Sequence, residues 1–321
     1  MDCLFLEQQS TLDVSMRLRS IIRRIRYFRI IAVLSGLHRK LGWMRTSAKH
    51  IKVDDEENVI IDIQRIRPPA LPSIIIRLFL SMLFLFIITL SIAYVLYKPP
   101  TVIINYLQWK YPDVVFHFPL PSSQKYVALT LDDVPSSETT KILDLLQRFK
   151  AKATFFVIGS QISDYPHLLT RISNEGHEIG IHGWADEPSY KLSSDELERQ
   201  IKKIETMLPL DPDRFKWFRP GSGWFTKDMI EKLKSMGYKI ALGNIYPHDP
   251  QIRFPKINAA HVLSMIKPGG VIIMHDRRPY SSEQLELVLQ GLANRGWRAQ
   301  TLSKVQEIKT DIVAGKPLLL N

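Results

Sequence analysis

Cysteine is almost missing from this chain, since Cys3 is the only one among 321 residues. A disulfide within the chain needs two thiols, so a disulfide-stabilised scaffold is excluded and packing has to supply the stability. Asn-x-Ser/Thr acceptor sites for glycosylation are also missing after residue 98, so no such mark indicates a compartment. With 45% hydrophobic and 23% charged residues, the chain has the composition of a globular domain plus additional segments.

Charge is missing from one long stretch, residues 78–97. A helix of about 20 apolar residues crosses the hydrocarbon core of a bilayer, and residues 74–76 extend this one beyond Arg77, whose side chain can reach outward. A buried core helix is the alternative, and its length and uniform apolarity disfavour it. A cleavable signal peptide is disfavoured because 73 residues precede the segment. We therefore predict a transmembrane signal anchor at residues 74–97.

Basic residues are concentrated before the predicted anchor, in a chain whose net charge is +11. Residues 16–41 combine arginines with apolar residues and predict a basic amphipathic helix on an anionic membrane surface. Nucleic-acid binding is the alternative, and we disfavour it because the anchor already explains the charge. Arg65, Arg67 and Arg77 lie just before the apolar stretch, whereas Lys98 and Lys110 are the only basic residues soon after it.

The positive-inside rule then predicts a single-pass type II membrane protein with its N-terminus in the cytosol. The folded domain is expected outside the cytosol, at a cell surface, in a secretory lumen or in a bacterial envelope. Five segments are predicted: a basic cytosolic region at 1–73, the anchor at 74–97, a proline-marked linker at 98–124, a folded domain at 125–308 and a C-terminal tail at 309–321.

Strand-like and helix-like segments alternate within the predicted folded domain, which favours a parallel sheet with crossover helices. The predicted strands are 126–131, 153–157, 178–181, 216–218, 239–242, 271–274 and 299–302. The predicted helices are 139–149, 166–175, 194–207, 226–236, 258–266 and 282–295. The sequence thus predicts an α/β fold, an irregular (β/α)7 barrel.

Polar residues follow several of these strands: Asp132, Asp133, His182, Asp186, Arg219 and His275. The carboxyl ends of barrel strands meet at one rim, so these side chains are expected to share a pocket. Two adjacent carboxylates repel each other, and a cation held by one would leave the other as a base with a low pKa. A helix-capping or turn pair is the alternative.

The spacing of His182 and Asp186 would place both side chains on one face of a helical turn, as chelation of a metal requires. The signal is weak alone, because a histidine after a strand is often a hydrogen-bonded core residue.

Taken in order, these segments resemble the polysaccharide deacetylases of the NodB-homology family, also called carbohydrate esterase family 4. Thr-Phe-Asp-Asp-Gly-Pro of that family matches residues 130–135, Thr-Leu-Asp-Asp-Val-Pro, with Val134 in place of glycine. Gly-His-Glu-Ile-Gly-x-His matches residues 176–182, although Asp186 stands where the family has a second histidine. Arg-Pro matches Arg219-Pro220, and an aliphatic residue two before a histidine matches Ile273 and His275.

The resemblance implies a role for each matched residue. Asp132 would be the general base, His275 the general acid, and Arg219 would orient Asp132. Asp133, His182 and Asp186 would bind one divalent metal ion. Zinc is the expected metal, and manganese, cobalt or iron are the alternatives because Asp186 makes the ligand set harder and more anionic. Asp249, in the sequence Tyr-Pro-His-Asp-Pro, is the best candidate for tuning His275.

The same resemblance places Pro220, Gly221 and Ile273 beside the substrate. Trp184 and Trp224 lie next to motif residues, and their faces are suited to stacking on sugar rings. Packing within the barrel rim is the alternative for both tryptophans.

The resulting hypothesis is a membrane-anchored, metal-dependent hydrolase that removes N-acetyl groups from an extracytosolic polysaccharide or glycolipid and releases acetate. Its partners would be the N-acetylated glycan and the membrane, with no nucleic acid, and the oligomeric state stays open. A catalytically inactive barrel that binds glycan is the alternative, with Asp186 as the mark of lost activity. Hydrolysis of a non-sugar amide is a third possibility that no pocket residue favours.

Overall fold

The structure is a computed structural model that describes residues 51–53, 59–61, 73–209 and 216–316. The predicted basic helix at 16–41 and the end of the C-terminal tail lie outside these residues. By its internal contacts the chain divides into two units, Met1–Phe86 and Ile87–Asn321. In the first unit, β1 (Ile51–Val53) and β2 (Val59–Ile61) pair antiparallel.

Helix α1 (Ser73–Tyr97) coincides with the predicted anchor. Within the described residues it is the one helix long and apolar enough to cross a membrane, and none of its side chains is buried. A helix that exposes an apolar surface all round is suited to a lipid environment rather than to water.

The second unit carries a curled, mainly parallel sheet surrounded by helices. Its strands are β3 (Val114–Val115), β4 (Tyr126–Val134), β5 (Thr154–Ile158), β6 (Glu178–Gly183), β7 (Lys216–Phe218), β8 (Tyr238–Ala241), β9 (Val271–His275) and β10 (Arg298–Gln300). The order is β10-β4-β5-β6-β7-β8-β3, and β9 pairs with β4. This arrangement confirms the predicted α/β barrel-type fold.

The helices of this unit are α2 (Thr101–Lys110), α3 (Thr139–Arg148), α4 (Pro166–Asn174), α5 (Ser194–Glu205), α6 (Lys227–Ser235), α7 (Pro255–Met265), α8 (Ser281–Asn294) and α9 (Leu302–Val313). Six of them occupy the predicted positions. The Ser193 hydroxyl accepts a hydrogen bond from the Glu196 N–H at the start of α5, and Leu197, Ile201 and Ile204 form the buried apolar stripe of this helix.

Strand β4 organises the sheet because three strands pair with it. Its first residues pair with β10, residues 128–132 pair with β9, and its other edge pairs with β5. All nine residues of β4 are buried. The carboxyl ends of β4, β5, β6, β7 and β9 therefore open on the same side of the sheet, where a parallel barrel gathers its functional residues.

The residues predicted as a linker and as a tail carry regular structure. Helix α2 follows Pro99-Pro100, and Ile104 on it packs into the core, while β3 adds a strand beside β8. Helix α9 runs through the boundary predicted at 308 and ends at Val313. Proline is compatible with the residue just before a helix, so the proline pair marks where α2 begins rather than an unstructured linker.

Candidate active site

Two adjacent carboxylates end β4 and face the same pocket because the strand bulges there. The register shifts from Leu131 opposite Phe155 to Val134 opposite Val157, so β4 has one extra residue against β5. Asp133 occupies that kink with a φ of 64°. A regular strand would send neighbouring side chains to opposite faces, whereas a bulge removes this alternation. Both Asp132 and Asp133 are consequently buried on the pocket side.

Asp132 forms a buried ion pair with Arg219. The Arg219 Nη1 donates to Asp132 Oδ1 at 2.5 Å and to the Thr130 hydroxyl at 2.7 Å, and its Nε donates to the Ala241 carbonyl at 2.9 Å. The guanidinium lies over the Phe156 ring, 4.1 Å from its centroid. Burial favours the neutral acid, but the charge of Arg219, with those of His182 and His275, outweighs it, so the pKa of Asp132 is lowered. Asp132 is thus held as a fixed, ionised carboxylate.

His182 lies inside β6, and its Nδ1 is 2.7 Å from the Arg219 carbonyl oxygen. A carbonyl oxygen only accepts, so Nδ1 carries a proton, and in the neutral form of the ring Nε2 then has a lone pair for a metal. That Nε2 is 3.9 Å from Asp132 Oδ2 and 4.0 Å from Asp133 Oδ1. The expectation of a helical turn carrying His182 and Asp186 is wrong, because Gly183, with a φ of 106°, ends the strand in an irregular loop.

Asp186, in that loop, lies beside a cation instead of beside His182. The Nη2 of Arg277 donates to Asp186 Oδ2 at 2.6 Å and to Asp133 Oδ2 at 3.3 Å. Asp186 is more than half exposed, whereas Asp133 is buried. For Asp133, burial raises the pKa, and the charge of Asp132 adds to it, against the opposing effect of His275, His182 and Arg277. The carboxylates of Asp133 and Asp186 thus share the guanidinium of Arg277.

His275 ends β9 directly opposite Asp132 in the register of the two strands. Asp249 holds it twice: Asp249 Oδ1 is 2.8 Å from His275 Nδ1, and Asp249 Oδ2 accepts from the His275 N–H at 2.9 Å. Burial disfavours the imidazolium, but the hydrogen bond and charge of Asp249, with the charges of Asp132 and Asp133, outweigh it, so the pKa of His275 is raised. This is the electrostatic setting of a general acid, which has to carry a proton.

The other predicted site residues differ in their exposure and in what they contact. Trp224 has 71% of its surface exposed beside Arg219-Pro220-Gly221 and presents an open ring. The Trp184 ring is instead covered by the Lys203 ammonium, 3.3 Å from its centroid, and packs on the core. Gly221 is buried, and its N–H donates to the Ser189 hydroxyl at 2.8 Å. Ile273 is half-buried on β9.

A divalent cation is implied by the donor chemistry, and the side chains fit one in part. The His182 Nε2 lone pair and the Asp133 carboxylate face each other, and Nδ1 is held by a backbone carbonyl, as is usual for a metal-binding histidine. Over the described part of the chain, no three His, Cys, Asp or Glu side chains already converge as a ligand set. The third predicted ligand, Asp186, is engaged by Arg277. The site therefore fits a cation once Asp186 is released.

Comparison with known proteins identifies the fold and the family. The polysaccharide deacetylase family model matches residues 120–241. A peptidoglycan-N-acetylglucosamine deacetylase of Bacillus cereus is 30% identical over 204 residues, covering 59% of this chain and 92% of that protein. The chain belongs to the polysaccharide deacetylase family. This is the family that the resemblance predicted.

Two further matches agree. The peptidoglycan-N-acetylmuramic acid deacetylase PdaC of Bacillus subtilis is 32% identical over 189 residues, which are 58% of this chain. The matched part spans only 40% of PdaC. The solved PdaC structure superposes with a TM-score of 0.55 at 31% identity, covering 61% of this chain and 96% of that structure.

Sequence reasoning missed two residues that lie beside these side chains. Arg277 follows His275-Asp276 directly, and a cation just after a strand-end histidine was the available signal. Tyr246 lies on the Asp249 loop with its ring 5.9 Å from the His275 ring. Burial and the charge of Asp249 raise the pKa of Tyr246 to about 12, so it stays a neutral phenol.

Proposed function

We propose that this chain is a membrane-anchored, divalent-metal-dependent deacetylase that removes N-acetyl groups from sugars of an extracytosolic glycan or glycolipid and releases acetate. The observation that carries the proposal is a pair of neighbouring groups on β4 and β9 whose pKa values are shifted in opposite directions: that of Asp132 is lowered and that of His275 is raised. Asp132 is kept ionised by Arg219, and His275 is kept protonated by Asp249. Such a pair is what amide hydrolysis needs, namely a base for the water and an acid for the amine.

The proposed steps follow from these positions. Asp132 accepts a proton from the water that attacks the acetamide carbonyl, and Arg219 keeps that carboxylate oriented. His275 then donates its proton to the departing sugar amine, so that acetate leaves. A divalent ion held by Asp133, His182 and Asp186 would supply polarisation of the acetamide carbonyl. Zinc is the first candidate, and the two carboxylates keep manganese, cobalt and iron as alternatives.

An N-acetylated hexosamine is the substrate class that the relatives support. The bacterial relatives are deacetylases of N-acetylmuramic acid and N-acetylglucosamine in peptidoglycan. Trp224 offers an exposed ring beside the pocket for stacking on a sugar face.

The end of α1 lies close to the same rim, which favours a sugar near the bilayer surface. The Tyr97 ring stacks on His248 at 4.8 Å, and His248 Nε2 is 2.8 Å from the Tyr97 carbonyl oxygen. His248 directly precedes Asp249, which holds His275. The glycolipid and the membrane-proximal part of a polymer are therefore the substrates favoured by position.

Acetate release by the purified full chain on a panel of N-acetylated oligosaccharides and glycolipids, with Zn²⁺, Mn²⁺ or Co²⁺ added, tests the activity. We expect Asp132→Asn to lower the rate at least about a hundredfold, because a positioned base contributes that much. If the folded wild-type protein binds these glycans but releases no acetate with any metal, the inactive glycan-binding barrel replaces the enzyme.

The single cysteine allows a direct test of membrane orientation. A membrane-impermeant thiol reagent applied to intact cells should leave Cys3 unlabelled. In a Cys3→Ser background it should label Val313→Cys, since Val313 is 80% exposed at the end of α9. Labelling of Cys3 in intact cells, without labelling at position 313, would reverse the proposed orientation.

A further inference from the structure

Arg277 is placed where two of the proposed metal ligands converge. One nitrogen, Nη2, bridges Asp186 Oδ2 at 2.6 Å and Asp133 Oδ2 at 3.3 Å. Asp133 lies near the end of β4 and Asp186 in the loop after β6, so the guanidinium joins that strand end to that loop. Asp186 is more than half exposed, so packing against other side chains does not fix its position. Its position is set by the arginine.

The backbone is built to hold Arg277 there. Arg277 has a φ of 66°, which is a costly conformation for a residue with a side chain. Its N–H donates to Asp276 Oδ1 at 2.7 Å and to the Ser136 hydroxyl at 3.2 Å. Asp276 is itself fully buried and accepts from Ser136 and Thr139. A turn fixed by these groups aims the arginine back over the pocket.

The position of Arg277 offsets negative charge around the pocket. Asp132, Asp133 and Asp186 put three carboxylates around the pocket, and Arg219 is committed to Asp132. Asp133 is buried, and its cationic neighbours within an ion-pair distance are Arg277, Arg278 at 3.7 Å and, when protonated, His182. A buried carboxylate needs a nearby positive charge to stay ionised.

We propose that Arg277 is a built-in competitor of the divalent cation: it neutralises Asp133 and Asp186 in the metal-free enzyme, and the metal has to displace it. The proposal rests on the proposed metal-dependent function and deepens it, because it makes loading of the site a competition between two cations. Loss of Arg277 therefore strengthens metal binding, whereas loss of a residue that only supports the ligands weakens it.

The experiment is titration of Zn²⁺, and separately Mn²⁺, into the purified metal-free full chain by calorimetry and by competition with a chelating dye. We expect Arg277→Gln to lower the Kd roughly two- to fivefold, the upper part of the range of a partly exposed ion pair. Its unfolding temperature without metal should fall, and the rise in that temperature on adding Zn²⁺ should grow.

Arg148→Gln is the matched control, because Arg148 is an exposed arginine that pairs with Glu286 on α8. The same loss of charge there should leave the Kd unchanged. In an Asp186→Asn background, Arg277→Gln should change the Kd less, since the competition acts partly through Asp186.

Weaker or unchanged metal binding by a folded Arg277→Gln protein would overturn the proposal, as would the absence of metal binding by wild type and variant alike. Metal-dependent acetate release by the wild type, together with an unchanged Kd in Arg277→Gln, would overturn the role of Arg277 and leave the deacetylase intact. Metal binding by the variant alone would support the competition.

Discussion

Replacement of Asp249 by asparagine tests whether His275 acts as a protonated acid. Asparagine has nearly the same shape but a single acceptor oxygen, so it can keep only one of the two hydrogen bonds, from the His275 N–H at 2.9 Å or from Nδ1 at 2.8 Å. The substitution removes the negative charge and one of the two acceptors. Charge-assisted hydrogen bonds contribute about 1.5–3 kcal/mol, which corresponds to roughly 10- to 150-fold in rate. We expect kcat/KM at neutral pH to fall within that range.

The pH dependence gives this prediction a sign. The pKa of His275 is raised because Asp249, Asp132 and Asp133 outweigh the effect of burial. The protonated form is the acid, so activity should be lost as the pH rises through that raised pKa. Asp249→Asn removes the principal stabilising partner and should move the alkaline limb to lower pH. The acid limb reports Asp132, whose pKa is lowered chiefly by Arg219 against burial, and it should stay in place.

The assay is acetate release measured across pH at saturating metal, with circular dichroism to show that the variant is folded. Asp144→Asn is the control, since Asp144 is an exposed aspartate in an ion pair with Arg171. If Asp249→Asn keeps both its rate and its alkaline limb, His275 does not act as the protonated acid and the reasoning fails.

Two further predictions concern a positioning residue and the core. Arg219→Lys keeps the charge but loses the guanidinium geometry that reaches Asp132, Thr130 and the Ala241 carbonyl. We expect kcat to fall at least about tenfold, because a catalytic group would be misplaced by about 1 Å. An unaltered kcat would show that orientation by Arg219 is dispensable. Ile201→Ala removes a fully buried side chain of α5 and should cost about 2–5 kcal/mol in the free energy of unfolding, measured by urea denaturation; a loss below about 1 kcal/mol would show that the stripe is not tightly packed.

Local patterns were sufficient for the fold because each element satisfies its own rules. The alternation of strands and helices predicts the parallel sheet, and the Ser193 cap and the stripe of α5 follow from spacing alone. Gly176, Gly237 and Gly296 have φ values of 74°, 80° and 70°, as expected for residues that end helices. The predicted apolar helix is present for the same reason, since its length and composition are read directly.

The family motifs also placed most of the pocket residues, because parallel strands bring their carboxyl ends to one rim. Asp132, His182, Arg219 and His275 end or follow strands β4, β6, β7 and β9 and do meet there. Helix α2 and strand β3 escaped prediction, since prolines on both sides of them masked a short helix and a two-residue strand.

The sequence by itself determined which polar residues stand at the ends of the strands, and hence which side chains share the pocket. Both depend on patterns within single segments. Tertiary structure alone decided the direction and partner of each group. The bulge that turns Asp133 to the same side as Asp132 depends on pairing with β5. The attachment of Asp186 to Arg277 depends on two loops, 91 residues apart in sequence, meeting above the sheet. Long-range contacts of this kind arise from packing of the whole domain and leave no periodic mark in the sequence.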